Sequence, residues 1–467
     1  MIPRMTFPRL RSAPRWARGA AQRTGLAAVF ALGACSSDVL TVDDPDIIDP
    51  ENVQSPAGAE AVRRGALGRL NNATSGGSAT ADNIFLLGGL FADEWINGDS
   101  FIARQEVDQR VITPDNSFVL NTNRNLHRAR VSAEQAVELL TTYRPDAPRW
   151  QVAEMYFVQA YVENILAEHF CSGLVFSTVV DGHEQFGSPI TTTAAFERAL
   201  GHANDGLALI TGNTADDLRV RHALQVTRGR ILMNLNRPAE AATAVSGVPT
   251  SFRYQMLHTQ QLESANNTYL RNVSERRYSV ATNEGVNGLN FGTAGDPRLP
   301  VCEGNDTACK TIGVTNPGRD DQGRPIRVQM LWTVREAPVT IVSGVEARLI
   351  EAEAQLRAGA GATSLATLNA LRTTVTGLAP LADTGTAAGN VSQLFRERAF
   401  WLFGRGHRTG DMRRLVRQYG RAANTVFPVG AYHKNEATYG VDVNMPIPKA
   451  EQNNPNAPGD ICIDRNA

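Results

Sequence analysis

The sequence predicts a mainly α fold: helical hairpins stacked into a repeat scaffold, with one long irregular excursion built onto it. Two helix pairs and the stretch between them carry that expectation. In 223–248, Ala223, Thr227, Ile231 and Leu235 share one helix face, Asn236-Arg237-Pro238 turns the chain, and Ala239, Ala242 and Val245 line an antiparallel partner. Segments 342–357 and 364–375 repeat the plan, with Val345, Leu349, Ala352 and Leu356 facing Leu365, Leu368, Leu371 and Val375. Neither pair can bury its face alone, which is why such units stack. Between them, 250–338 keeps no strong period, and a loop that long inside a folded chain is usually functional.

The other elements follow in order. Residues 1–34 carry Arg4, Arg9, Arg11, Arg15, Arg18 and Arg23, no acidic residue, and then the uncharged run GLAAVFALGA at 25–34. A helix of that run, at about 1.5 Å rise per residue, cannot cross a hydrocarbon layer of ~30 Å, so it reads as a signal-peptide core. Residues 35–56 read as a polar, proline-containing linker with Asp38, Asp43, Asp44, Asp46 and Asp49 crowded behind Cys35. Helices are expected at 57–70, 82–95, 115–143 and 196–210, each on apolar residues of helical spacing. The stretch 149–170 is apolar nearly all round and reads as an interior helix. Val391, Leu394, Phe395, Ala399, Leu402 and Phe403 then mark a helix that Gly404 and Gly406 break. A short helix follows, with Met412, Leu415, Val416 and Tyr419 on one side and Arg413, Arg414, Arg417 and Arg421 on the other.

Charge narrows the function. Without the six arginines of the leader, 40 basic residues face 47 acidic ones, a formal charge of −7. Such a chain has no electrostatic reason to bind nucleic acid. With Cys35 set aside, four cysteines remain. Cys302 and Cys309 bracket a polar loop and favour a local disulfide, leaving Cys171 for Cys462, although four cysteines allow three connectivities. No second Cys or His pair accompanies 302/309, so no zinc site, and no cofactor, is expected.

Motifs add a resemblance. Leu32-Gly33-Ala34-Cys35 resembles a bacterial lipobox, which implies lipidation of Cys35; acidic residues behind such a cysteine resemble an outer-surface export tag of Bacteroidota-type lipoproteins. The helix pairs resemble tetratricopeptide repeats. The segment RERAFWLFGRGHRTGDMRRL, at 396–415, resembles the C-terminal signature of SusD/RagB-like lipoproteins, and Met445-Pro-Ile-Pro-Lys-Ala-Glu with Asn453-Asn-Pro-Asn resembles that family's closing segment. Thr409 and Gly410 depart from the family's usual aromatic pair. The resemblance implies a SusD-like α-α superhelix over 57–467 with an insertion at about 250–338. It further implies an outer-membrane surface lipoprotein that binds an oligosaccharide, peptide or other nutrient and passes it to a SusC-like TonB-dependent transporter. A lipid-anchored scaffold for envelope assembly is the alternative; the long polar excursion weighs against it.

Catalysis has no signature here: Gly-x-Ser-x-Gly, His-Glu-x-x-His and a P-loop are absent. Asp93-Glu94 and Asp320-Asp321 read as solvated surface charge, because a glycosidase needs carboxyls on both sides of a bond. His169 reads as a hydrogen-bonded core residue, and His407 as support for the glycine corner. Glycan binding favours an exposed aromatic plane beside amide, carboxylate or guanidinium groups. Trp95 with Asn97, Asp99 and Arg104, and Trp332 with Arg335, meet that description, while either indole could equally cap the core. Tyr269 and Tyr278 are weaker candidates, and Trp401 is assigned to packing.

Overall fold

Five of the first seven helices among the described residues begin where the sequence supplies a capping side chain. In the computed structural model, residues 53–77, 82–180, 183–315, 318–457, 459 and 462–466 are described, within one unit spanning Pro50–Ala467. The expected signal peptide, Cys35 and the tether to residue 52 lie outside the described residues. Helix α1 (Pro56–Thr74) starts on Ser55, α2 (Ile84–Phe91) on Asn83, α3 (Ile102–Gln109) without a cap, and α4 (Ser117–Tyr143) on Asn116. Then come α5 (Arg149–His169), α6 (Thr192–Leu209) capped by Thr191, and α7 (Ala215–Asn234), where Thr214 and Asp217 form a capping box. These side chains satisfy amide donors that the first helical turn leaves free, each worth about 1 kcal/mol.

The helices pack in pairs. α1 packs on α4, and α5 on α6. α7 pairs with α8 (Pro238–Val245), whose first position is the expected proline. Beyond the excursion, which holds the short α9 (Thr307–Thr311), α10 (Gly344–Arg357) pairs with α11 (Gly361–Arg372). α8 lies directly on α10, so the two hairpins stack although about a hundred residues separate them. α5 is buried along nearly its whole length, as its lack of a polar face requires.

The excursion is more ordered than its weak period suggests. Arg253–Met256 pairs with Val339–Ser343, closing its base as a two-stranded ribbon. Tyr278–Val280 pairs with Trp95–Asn97, and Val301–Glu303 with Arg327–Gln329. Val273, Cys302, Cys309, Val314, Ile326 and Val328 form a small core of their own. The predicted helix 82–95 therefore stops at Phe91, because Trp95–Asn97 is drawn into the ribbon by Tyr278–Val280.

Helices α12 (Ala387–Trp401) and α13 (Arg408–Arg417) close the chain around the glycine corner. Gly404 and Gly406 take φ of +65° and +68°, and a Cβ on Gly406 would lie 2.8 Å from the Phe85 ring. Arg413 and Arg414, on the side opposite the apolar residues of α13, are buried, as is Arg408. Arg414 pairs with Glu353 and Asp411, and Arg408 with Asp93. Arg413 Nη1 donates to the carbonyls of Ala167, Glu168 and Phe170, satisfying the C-terminal end of α5. Asp93 and Glu94, read as solvated charge, are likewise interior: Asp93 meets Arg408, and Glu94 accepts the Gly404 amide proton. Asp320 is held by Arg324, whereas Asp321 is exposed and bonds Lys434. His169 Nδ1 donates to the Ile165 carbonyl at 2.9 Å, inside the core. His407 is buried between Arg230 and Glu346.

Two disulfides complete the frame. Cys302 is bonded to Cys309, and Cys171 to Cys462. The second lies beside the bridges Phe170–Met445 and Ser172–Asp464, so the last residues are tied to the end of α5.

Candidate functional site

A cavity of about 640 Å³ opens beside the ribbon of Trp95–Asn97 and Tyr278–Val280. Four separate pieces of chain build its wall. Ile96 comes from the first strand, Glu284 from the turn after the second, and His433 and Tyr439 from the C-terminal loop, with Arg324 and Arg327 from the excursion. Successive residues of a strand face opposite ways, so Ile96 turns to the cavity while Trp95 and Asn97 turn to the interior.

The floor is a hydrogen-bonded cluster. Asp108, near the end of α3, accepts through Oδ2 from the Asn97 amide at 2.8 Å, the Tyr432 hydroxyl at 2.9 Å and His433 Nε2 at 2.7 Å. Arg324 Nη1 lies 3.0 Å from His433 Nδ1. A guanidinium only donates, so Nδ1 is the acceptor and Nε2 carries the imidazole proton to Asp108. Glu284 accepts from the Tyr439 hydroxyl at 2.9 Å. Burial, and then the neighbouring Asp108 charge, push the Glu284 carboxyl well above its usual range. Arg110, Asn283, Asn435 and Glu436 adopt left-handed φ of 51–59° and lie within three residues of the cluster, so the backbone is bent to bring these side chains together. At the mouth, Arg327 and Glu303 remain partly open to solvent.

The residues expected to bind ligand sit elsewhere. Trp95 is fully buried, with its ring centroid 4.8 Å from Phe403 and 6.3 Å from Tyr278. Trp332 is buried under Arg405, and its amide donates to Gln329. Neither indole presents a face to a sugar, because both fill the seam between the excursion and the glycine corner. Asn97 is spent on the Asp99 amide and on bonding Asp108. Arg104 is buried against Asp82 and Asp99. Arg335 reaches back to the Gln260 carbonyl at 3.4 Å and is not near the cavity wall. Tyr278 is interior and donates to Asp82, and Tyr269 packs on the small second core. Trp401 takes Arg298 over its ring. From the stretch around Trp95 the cavity takes only Ile96, and Asn97 gives its backbone amide to Asp108. Arg324, Glu284 and His433 had no spacing to reveal them; only the Asp320–Arg324 pair, four residues apart, offered a local hint.

No protein-family model and no curated protein matches the sequence. Solved structures do match the fold. A SusD superfamily protein from Bacteroides fragilis superposes with a TM-score of 0.62 at 16% identity, covering 85% of this chain and 97% of that one. A laminarin-binding SusD-like protein gives 0.59 at 16%, covering 86% and 98%. A SusD-like carbohydrate-binding protein from Bacteroides fragilis gives 0.62 at 12%, again covering 86% and 98%. The fold is therefore a SusD-like helical-repeat fold.

Proposed function

We propose that this protein is a SusD-like outer-membrane surface lipoprotein, anchored through Cys35. It would capture an oligosaccharide or peptide-like nutrient and deliver it to a SusC-like TonB-dependent transporter without covalent chemistry. The observation that carries the reading is the match of nearly the whole described chain to SusD-like structures, two of which are named for carbohydrate or laminarin binding. The cavity supports it: about 640 Å³ suits a small ligand, with guanidinium and carboxylate groups at its mouth to meet hydroxyls or peptide termini. Arg324, Arg327, Glu303 and Ile96 replace the two tryptophans as the proposed contacts.

The test is affinity purification from detergent-solubilised outer membranes with the intact lipoprotein as bait. Co-purification of a large TonB-dependent barrel in near-stoichiometric amount is the expected result. Recovery of envelope-assembly proteins without such a barrel would replace this reading with the scaffold.

A further inference from the structure

The geometry points to a divalent transition-metal site at the cavity floor, in which Asp108, Glu284 and His433 bind a zinc-like cation. One ligand atom from each lies within 4.8 Å of the other two. All three are held by segments far apart in sequence, and Asp108 and Glu284 are more than nine-tenths buried.

The second observation is what the two carboxylates leave over. Asp108 Oδ2 takes the Asn97 amide and the Tyr432 hydroxyl, and Glu284 Oε1 takes the Tyr439 hydroxyl. Asp108 Oδ1 and Glu284 Oε2 are buried with no donor. Each carboxylate is thus fixed through one oxygen and offers the other, which is how outer-shell groups orient the ligands of a metal. Two donorless carboxyl oxygens in one buried pocket need either a shared proton or a cation between them.

The donor set decides the class of ion. Two carboxylate oxygens and one imidazole suit zinc or a similar borderline cation better than calcium, which takes oxygen alone. Three protein ligands leave a fourth position, and here it faces the cavity. A tetrahedral ion at about 2.0–2.1 Å from each ligand asks for ligand atoms roughly 3.3 Å apart, so from a spread of up to 4.8 Å the cluster must contract on binding. On binding, His433 Nε2 gives up its bond to Asp108 and coordinates the ion, its proton moving to Nδ1. Arg324 Nη1 keeps its bond to the His433 carbonyl, 3.1 Å away. A proton shared by the two carboxyls leaves to solvent as the ion enters, and the ion's two positive charges then balance the two carboxylates.

The test uses the detergent-solubilised full chain, stripped with chelator and titrated with Zn²⁺ alone by calorimetry and thermal melting. One equivalent should bind per chain and raise the melting temperature. Glu284→Gln and His433→Ala should each abolish that uptake while melting within a few degrees of the metal-free parent. Tyr439→Phe, which removes only the hydroxyl on Glu284, should weaken binding roughly tenfold. If the parent takes up no Zn²⁺ at millimolar concentration, the proposal fails and the two carboxylates are a proton-sharing pair. If Glu284→Gln or Tyr439→Phe binds as tightly as the parent, it fails as well.

Discussion

Arg398 and Asp411 are joined by two parallel hydrogen bonds of 2.8 and 2.9 Å across the glycine corner, both residues buried. Arg414 bonds the same carboxylate and carries it over to Glu353. The corner is therefore held by opposed charges in the interior as well as by apolar contact. Arg398→Met leaves Asp411 and Glu353 short of a cation, and the cost is about 3–5 kcal/mol, read by denaturant unfolding. Burial raises the Asp411 carboxyl, but its two arginines prevail and hold it well below the usual range. Its contribution is present above the ordinary carboxylate pKa and is lost on stronger acidification, so the parent weakens with falling pH more steeply than Asp411→Asn does.

Glu94 behaves in the opposite sense. Desolvation pushes its carboxyl up to about 8, against the Gly404 amide that favours the charged form. The folded state then holds a proton that the unfolded chain releases near the ordinary value of 4.5. Stability falls as pH rises between those two values. Glu94→Gln should flatten that part of the stability–pH curve and be more stable than the parent at pH 9, measured by melting followed through tryptophan fluorescence.

Trp95→Ala and Trp332→Ala test the corrected placement of the indoles. Each should destabilise by about 3–5 kcal/mol, as truncation of a buried large aromatic does. A melting temperature unchanged by either substitution would return that tryptophan to the surface.

Arg327→Ala removes a half-open guanidinium at the cavity mouth whose nearest carboxylate, on Glu303, is 3.7 Å away. Stability should move by less than about 0.5 kcal/mol. Loss of one charge-assisted hydrogen bond should weaken ligand binding about tenfold or more, measured by calorimetry with whichever glycan or peptide a screen identifies.

Cys462→Ser opens the disulfide that spans 291 residues. The expected loss is roughly 2–5 kcal/mol, with earlier proteolysis of the tail. The local pair, seven residues apart, should matter less when removed by Cys309→Ser.

The helical frame was legible because Ala223, Ile231, Leu349 and Leu356 keep their period whatever surrounds them. Charge was not legible in the same way. Arg413 and Arg414 recur on one side of α13 just as a solvated face would, and only the distant Glu353 and the end of α5 make that side an interior one. Trp95 failed for a related reason: strand pairing with Val280, nearly two hundred residues away, decides which neighbour of a strand faces the cavity. The site itself joins residues 108, 284, 324 and 433, and no local pattern links them.

Arg408, Arg413 and Arg414 are made late in synthesis, yet they neutralise or cap Asp93, the end of α5 and Glu353, all made earlier. A chain cut short before residue 408 is left with uncompensated carboxylates in what should be its interior, and it has no way to shed them into solvent while keeping its helices packed. Completion is thus checked by the last eighth of the polypeptide, and a fragment released before it is expected to stay open to proteases that the folded chain resists.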